Sequence, residues 1–535
     1  MRRGSSIAVT LVIALAIALR FARLRWGLDE GLWFADETMW AVHLRAFDRL
    51  TWKSFDTTAL LYPTLYRLVG GLGAWLVELL GWSIQGATAI AWMRAVAATA
   101  SVLAVLVTVR LGTAMYGPWT GVVAGALLAV APLEVMQVHY ASVEPMLVLS
   151  TTFVAASSWW LMRRGTLGAA ALAGASAGLA SASKYTGVAF ISAVGWAIVE
   201  RWWRDRSVAA AARLAAAAGL ALVASVALAC PSCFLHPHAL ALMLDRHRMM
   251  AAFAGFAGAC LVPQAGWWHT PWLYEIVASL PYGMGLAFAV LGFAGVVAAL
   301  WYRAPADRLL LATLVPYFAY MGASSVVYPR YMLPLFPGLA LLGAAALART
   351  TRPWLGAVVA GLAVAYGLAL SVSQLDRFSW HQQAAVADWL GDRLPSLPPQ
   401  DRRVEIPAFE PSDPYYRLRR PIEAKGDQAE TSQRAPWFSK RPSLFVMPDW
   451  LAMTILRDRR DFLLQARVKA LQAGLAGYRP VLRIPAPGYL QRSWDESWDP
   501  TFAVELWQGA LGFTVYARND VLPDLRTTEV LDPSR

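Results

Sequence analysis

Charge is scarce in this chain, and that scarcity sets its class. Of 535 residues, 15% are Asp, Glu, Lys or Arg and 57% are hydrophobic, whereas soluble proteins average about 25% charged. The deficit excludes an ordinary soluble enzyme and indicates a polytopic membrane protein. It is uneven: it fills residues 1 to about 375, and 376–535 read as water-facing protein. A glycine-rich nucleotide loop and a nucleophile elbow are both missing from that tail. Cysteine is rare too, with three residues in the chain. Cys230 and Cys233 flank Pro231-Ser232 and leave four readings open: a redox-active pair, part of a metal site without further obvious ligands, small apolar fillers, or a disulfide if their loop faces an oxidising compartment. Cys260 stands alone. No basic stripe with interleaved aromatics accompanies the net charge of +12, which argues against a nucleic-acid partner; most of the arginine lies in short loops, where it sets topology.

What is present is a succession of apolar segments. Arg2 and Arg3 precede an apolar run over 5–24 that lacks a small-residue cleavage site, so it reads as a retained first helix with a cytoplasmic N-terminus. Further spans fall near 91–110, 118–137, 145–162, 166–183, 187–202, 209–229, 272–301, 308–325, 332–348 and 354–373, each close to the ~20 residues that a bilayer needs. With the first helix, about eleven crossings result. The inward loops then carry Arg110; Arg163 and Arg164; Arg201, Arg204 and Arg206; Arg303 and Arg308; Arg349 and Arg352. That is the positive-inside distribution, and it holds if the apolar stretch 64–80 lies on the membrane surface instead of crossing. Arg20, Arg23 and Arg25 are the exception, at the outer end of the first helix.

Polar residues collect on the other side. The first outer loop, 26–90, holds the adjacent acids Asp36 and Glu37, which are costly to keep near lipid. Thr38 to Leu50 has an apolar face (Met39, Val42, Ala46, Leu50) suited to a surface helix. A long outer segment, 230–271, contains His236, His238 and His247, which read as solvated loop histidines or as a metal triad lacking a clear carboxylate. The tail shows a helical pattern over 381–394, strand-like runs at 404–406, 443–446, 480–484 and 514–517, and a helix near 461–474, which together make a small extracytoplasmic α/β domain.

These residues carry a resemblance. Phe34-Ala35-Asp36-Glu37, Tyr62-Pro63-Thr64-Leu65-Tyr66, His139-Tyr140-Ala141-Ser142-Val143-Glu144, Lys184-Tyr185-Thr186-Gly187 and Tyr328-Pro329-Arg330-Tyr331-Met332-Leu333-Pro334 follow one another in an order, spacing and sidedness that resemble the GT-C integral-membrane glycosyltransferases, in the branch of protein O-mannosyltransferases and aminoarabinose transferases. The likeness covers most of 1–375. The second acidic position departs from the usual Asp: here it is Glu144, followed by Pro145. The resemblance implies a polyprenyl-phosphate sugar donor held in the bilayer, an extracytoplasmic acceptor (protein, lipid or polysaccharide) and a plasma-membrane location. A divalent metal is compatible with it and is not required.

Roles follow from that chemistry. A hydroxyl acceptor needs a base, and Asp36 is the candidate, its alternative being the N-cap of the helix starting near Thr38. Glu37 orients the acceptor or pairs with Arg94, or is a first-turn acid favoured by the helix dipole. The departing phosphate needs positive charge, from Arg330 and Lys184, whose alternative is snorkelling to headgroups. Glu144 holds the acceptor, binds a metal or counters Lys184. Tyr62, His139, Tyr140 and Tyr331 are expected as neighbours of the substrate, Tyr140 equally as an interfacial belt residue. A transporter or flippase is the runner-up; the absence of an internal repeat weighs against it. A glycan ligase on a related fold and a non-catalytic polyprenyl-binding subunit complete the alternatives.

Overall fold

The computed structural model describes residues 3–28, 35–47, 52–55, 62–238, 240–241, 244, 272–323, 329–378, 382–407, 428–432, 438, 441–448, 469, 471–485, 512–521 and 528–530. The chain divides into two compact units, one of Met1–Leu24, Trp40–Ala252 and Thr270–Gln374, the other of Arg25–Met39, Phe253–His269 and Leu375–Arg535.

The first unit is helical. Helical backbone occurs in each of the expected apolar segments. Among the described residues, five helices are long and apolar enough to cross a membrane: Ala87–Tyr116, Glu144–Arg164, Val208–Ala229, Pro329–Ala348 and Pro353–Asp376. A sixth is a bent pair, Pro118–Ala129 with Pro132–Tyr140, broken by 54°. Ser6–Phe21, Leu167–Ser183 and Leu286–Tyr302 are apolar but shorter.

The bend has a local cause, and it accounts for one of the misplaced arginines. Pro132 has no N–H, so the helix cannot run on, and carbonyls before the break lose their partners. Arg20, fully buried, takes them up. Its guanidinium donates to the carbonyls of Ala129 at 2.8 Å and Leu128 at 3.1 Å, and to Ser101 Oγ at 2.6 Å. Ser101 in turn donates to the buried carboxylate of Glu134 at 2.7 Å. Ser371 Oγ donates to the carbonyl of Val130 at 2.9 Å. Arg20 is therefore an internal cap and not a loop charge.

The first outer loop also departs from expectation. Its helix runs Ala35–Leu44, so Asp36 and Glu37 lie inside the first turn and Asp36 is not the residue preceding it. The face chosen from apolar spacing is not the buried one. Val42 is exposed, while Trp40, Leu44 and Phe47 are buried. Trp40 meets Tyr66 edge-on, with ring centroids 5.1 Å apart, and the larger aromatic area decides the face. The second apolar stretch forms a helix of 14 residues, Leu65–Glu78. At 1.5 Å per residue that is about 21 Å, short of the roughly 30 Å hydrocarbon layer. It packs on Ala87–Tyr116 through Tyr66 O–H to the Met93 carbonyl (2.6 Å) and Trp92 Nε1–H to the Gly70 carbonyl (2.8 Å). A Cβ at Gly70 would run into Met93 and one at Gly71 into Phe47, which accounts for glycine there.

Leu167–Ser183 is built largely of small residues so that Val208–Ala229 can approach its backbone. Cβ atoms at Gly174 and Gly178 would strike the Ala218 and Leu222 carbonyls. This close pairing fixes the height of Lys184, the residue that ends the helix.

The second unit contains a six-stranded mixed sheet: β1 Arg403–Pro407, β2 Gln428–Ser432, β3 Leu444–Pro448, β4 Tyr478–Ile484, β5 Phe513–Arg518 and β6 Glu529–Val530, in the order β2-β1-β3-β5-β4-β6. β1 runs parallel to β2 and β3, β5 antiparallel to β3 and β4, and β6 parallel to β4. Along β5, Phe513, Val515 and Ala517 are buried on one face, against a core that includes Val404, Ile406, Leu482 and, from the helix Gln382–Arg393, Val386 and Leu390. The four strand-like runs of the sequence are β1, β3, β4 and β5. The additional strands, β2 and β6, are the two edges. The helix expected near 461–474 lies largely outside the described residues, as does His381.

Two predictions follow from packing and from one buried phenol. Gly174→Val should force Leu167–Ser183 off Val208–Ala229 and lower stability by about 1–3 kcal/mol, read as a lower unfolding temperature of the purified protein; an unchanged temperature would refute the close approach. In the second unit, Tyr478 O–H donates to the Pro442 carbonyl at 2.5 Å, and burial pushes its pKa up to about 12. The bond's contribution should be complete below about pH 10 and lost as the pH rises through about 12. A phenolate absorbance difference between wild type and Tyr478→Phe should titrate there, not near the ordinary tyrosine value.

Candidate active site

Three helix ends of the first unit bring charged groups together. Glu144 opens the helix Glu144–Arg164, with Pro145 in its first turn, where a missing N–H costs nothing. Lys184 closes Leu167–Ser183 in an extended conformation, and its carbonyl accepts from Gly187 N–H at 2.8 Å, turning the chain into a 3₁₀ stretch. Arg330 and Tyr331 lie in the 3₁₀ stretch Pro329–Leu335.

Lys184 Nζ donates to Glu144 Oε1 at 2.9 Å, and Arg330 Nε stands 3.7 Å from the same oxygen. Lys184 also lies over the Tyr331 ring, 4.6 Å from its centroid. Tyr317 fixes that segment by donating its O–H to the Tyr331 carbonyl at 2.8 Å. Below the pair, the hydroxyls of Ser150 and Ser183 meet at 3.0 Å and tie the two helices. The side chains of Glu144, Lys184 and Arg330 are 6%, 13% and 15% exposed, so the cluster is recessed yet reachable. The cluster holds a guanidinium and an ammonium side by side, and Arg offers planar, bidentate geometry for a phosphate.

Glu144, Lys184, Arg330 and Tyr331 are thus brought together; other expected site residues do different work. Arg94 is fully buried, and its Nη1 donates to the Leu24 carbonyl at 2.8 Å. His139 is fully buried as well, with Nδ1 2.7 Å from the Val135 carbonyl and Nε2 2.7 Å from the Ala22 carbonyl. Both residues cap the end of the first helix, where the chain leaves for the first loop. His139 thus has each ring nitrogen within hydrogen-bonding distance of a backbone carbonyl, the geometry of an internal cap. Tyr140 is buried too. Tyr62 is half-buried, its ring 6.4 Å from Trp40. The loop it opens is held by Thr64 Oγ1, which donates to the Ala229 carbonyl at 2.5 Å.

Asp36 and Glu37 belong to the second compact unit. Glu37 is buried; the Asp36 side chain, Tyr328 and His247 lie outside the described residues. Among the described residues no group of three or more His, Cys, Asp or Glu stands ready for a metal ion. Sequence reasoning missed Ser150, Ser183, Tyr317 and Glu134. The signal for Glu134 was a lone carboxylate two residues after a proline inside an apolar run; for Ser183 it was adjacency to Lys184.

The helical unit with this charged cluster at its helix ends has counterparts among solved structures and one family model. ArnT from Cupriavidus metallidurans in the apo state superposes with a TM-score of 0.51 at 17% identity, over 84% of this chain and 95% of that one. Residues 46–236 match the family model of dolichyl-phosphate-mannose-protein mannosyltransferases. The same ArnT bound to undecaprenyl phosphate gives 0.46 at 15% identity, over 85% and 95% of the two chains. The archaeal oligosaccharyltransferase AglB from Archaeoglobus fulgidus, in complex with an inhibitory peptide and a dolichol-phosphate, gives 0.48 at 11%, over 92% and 75%. Curated proteins yield no match. The resemblance to GT-C glycosyltransferases read from the motifs is accompanied by this family-model match and, in fold, by the likeness to ArnT.

The pairing itself is testable. In a double-mutant cycle of Glu144→Gln and Lys184→Met on the purified protein, the two changes should couple by about 1–3 kcal/mol in unfolding free energy. Additivity within about 0.5 kcal/mol would show that the two groups do not act as a pair.

Proposed function

We propose that this chain is an integral-membrane glycosyltransferase that moves a sugar from a polyprenyl-phosphate donor to an acceptor outside the cytoplasm. The observation that carries the reading is the recess in which Lys184 and Arg330 share one carboxylate, Glu144. Bond breaking at the sugar builds negative charge on the lipid phosphate. Cations already positioned there stabilise that charge without reorganising. Arg330 is the principal phosphate ligand, with Lys184 as the point charge beside it. Glu144 keeps both cations aimed.

The other half of the reaction is the acceptor. Asp36 is the general base that takes the hydroxyl proton as the new glycosidic bond forms, and Glu37 orients the acceptor. Both assignments rest on the Phe34-Ala35-Asp36-Glu37 motif. Tyr331 and Tyr62 contribute faces on which a sugar ring can stack. Arg94 and His139 serve from a distance, by fixing the root of the first loop.

The topology of the reading has eleven crossings, a cytoplasmic N-terminus, and the recess, the first loop and residues 376–535 on the far side of the plasma membrane. The positive-inside distribution of the loop arginines supports it. The 3₁₀ segment bearing Arg330 and the cap bearing Lys184 then lie at outer helix ends, level with the phosphates of the outer leaflet.

Mass spectrometry of extracellular glycoconjugates, in cells lacking the gene and complemented with variants, tests the whole. A defined hexose or pentose should vanish without the gene and return with wild type. Asp36→Asn should lower transfer by at least about 100-fold, and Arg330→Ala should do so chiefly by weakening the donor. Full activity of Asp36→Asn would dismiss the base, and donor binding that survives with no transfer in wild type would leave a non-catalytic lipid-binding subunit.

A further inference from the structure

The Cys-Pro-Ser-Cys segment lies apart from the charged cluster but next to two of its supports. Val208–Ala229 ends at Cys230, whose N–H donates to the Val226 carbonyl at 2.7 Å. One turn, Ser232–Leu235, follows, and Cys233 N–H donates back to the Cys230 carbonyl at 3.1 Å. This turn brings the two sulfurs to 2.9 Å from each other. A disulfide needs about 2.04 Å, so less than about 1 Å of movement separates the thiols from a bond. Cys230 is fully buried and Cys233 is partly exposed. The Cys233 S–H, donating to Cys230, draws the Cys230 pKa down to about 6 and raises that of Cys233.

The surroundings give the pair its meaning. Ala182, Ala229 and Cys230 form a small apolar cluster, against which Leu65, Tyr185, Cys233 and Leu240 pack. Leu65 follows Thr64, whose hydroxyl is bonded to the Ala229 carbonyl beside Cys230. Tyr185 follows Lys184. The thiols therefore sit at the junction of the Tyr62-Pro63-Thr64-Leu65 loop, the Lys184-Tyr185 turn and the end of Val208–Ala229.

We propose that Cys230 and Cys233 are a dithiol–disulfide pair, a redox modification site that closes the end of Val208–Ala229 against the Thr64-Leu65 and Lys184-Tyr185 segments. The oxidant is a disulfide of the dithiol–disulfide exchange class. The Cys230 and Cys233 protons pass through water to the donor's thiolates as these form; Cys233, the accessible sulfur, attacks one sulfur of the donor disulfide as its thiolate and releases the donor's first thiolate. Cys230 then attacks Cys233 Sγ, breaks the mixed disulfide and releases the donor's second thiolate. Two protein thiols are oxidised, one donor disulfide is reduced, and both protons leave with the donor dithiol. The pair's chemistry stands on its own geometry; its oxidation in the cell rests on the outer location proposed above.

The experiment counts thiols on the full-length protein. Denaturing alkylation followed by peptide mass spectrometry should label Cys260 alone in protein taken from cells without reductant, and all three cysteines after reduction. Reduced protein treated with oxidised glutathione should return to one label; in Cys230→Ser the remaining Cys233 should be trapped as a glutathione mixed disulfide, seen in its peptide mass, and in Cys233→Ser the buried Cys230 should keep its label. Unfolding temperature should rise on oxidation in wild type and stay unmoved in the double serine variant. Three labels after oxidised glutathione would overturn the proposal. Three labels from cells with one label after oxidised glutathione would uphold the pair and overturn the outer location instead.

Discussion

The structure depends on a carboxylate placed where water is scarce. Glu144 lies at the head of an apolar helix, 6% exposed on its side chain. An isolated charge there is prohibitively costly, so it must have a cation within contact distance. Lys184 meets that demand at 2.9 Å. Because each group belongs to a different helix, the pair also sets how the two helix ends register. The small-residue seam of Leu167–Ser183 on Val208–Ala229 then fixes the lysine's height, and the Ser150–Ser183 contact repeats the link one step lower. Arg330, 3.7 Å from the same carboxylate, joins the cluster from a third segment.

The same demand for pairing explains the other buried polar residues. At several breaks and ends among the described helices of the first unit, backbone carbonyls are met by side chains from distant segments. Arg20 serves the break before Pro132, and Arg94 and His139 serve the end of the first helix. Thr64 serves the end of Val208–Ala229. These caps cross long stretches of sequence, so each also fastens one element to another. A charge in this unit therefore needs an address before it needs a role: some cap backbone, and some face a recess.

That distinction limits what the sequence could disclose. Sidedness, counted from loop arginines, placed Glu144, Lys184 and Arg330 on a common face, and the structure brings them together. Counting could not separate Arg94 and His139 from that group, because a buried cap and a substrate ligand share residue type and membrane level. Arg20 looked like a topological exception for the same reason. In the first loop, apolar spacing marked Met39 and Val42, whereas ring area buried Trp40 and Phe47. In the second unit, the four strands found from alternation lie inside the sheet, bordered on each side by a strand that was not found. The missed ones, Gln428–Ser432 and Glu529–Val530, are edges with a single neighbour, where polar composition is favoured and periodicity carries little information. Glu529 shows the remedy for so short a strand: Trp389 and Arg393 each bond its carboxylate at 2.7 Å.

The division of labour between the motifs then has a physical reading. A basic recess can hold a lipid phosphate without any base, and a base can activate a hydroxyl without any recess; transfer requires both at one moment. The recess is built from helix ends, which are rigid and held by buried bonds. The acidic pair is carried by a short helix, Ala35–Leu44, entered through a loop whose root is clamped by Arg94 and His139. On the function proposed above, rigid phosphate binding with a separately carried base would suit a donor that is always the same kind of lipid and an acceptor that arrives from outside. The position that departs from the family pattern, Glu144, belongs to the rigid half. Its extra methylene is accommodated there because the carboxylate answers to two long, adjustable cations, Lys184 and Arg330.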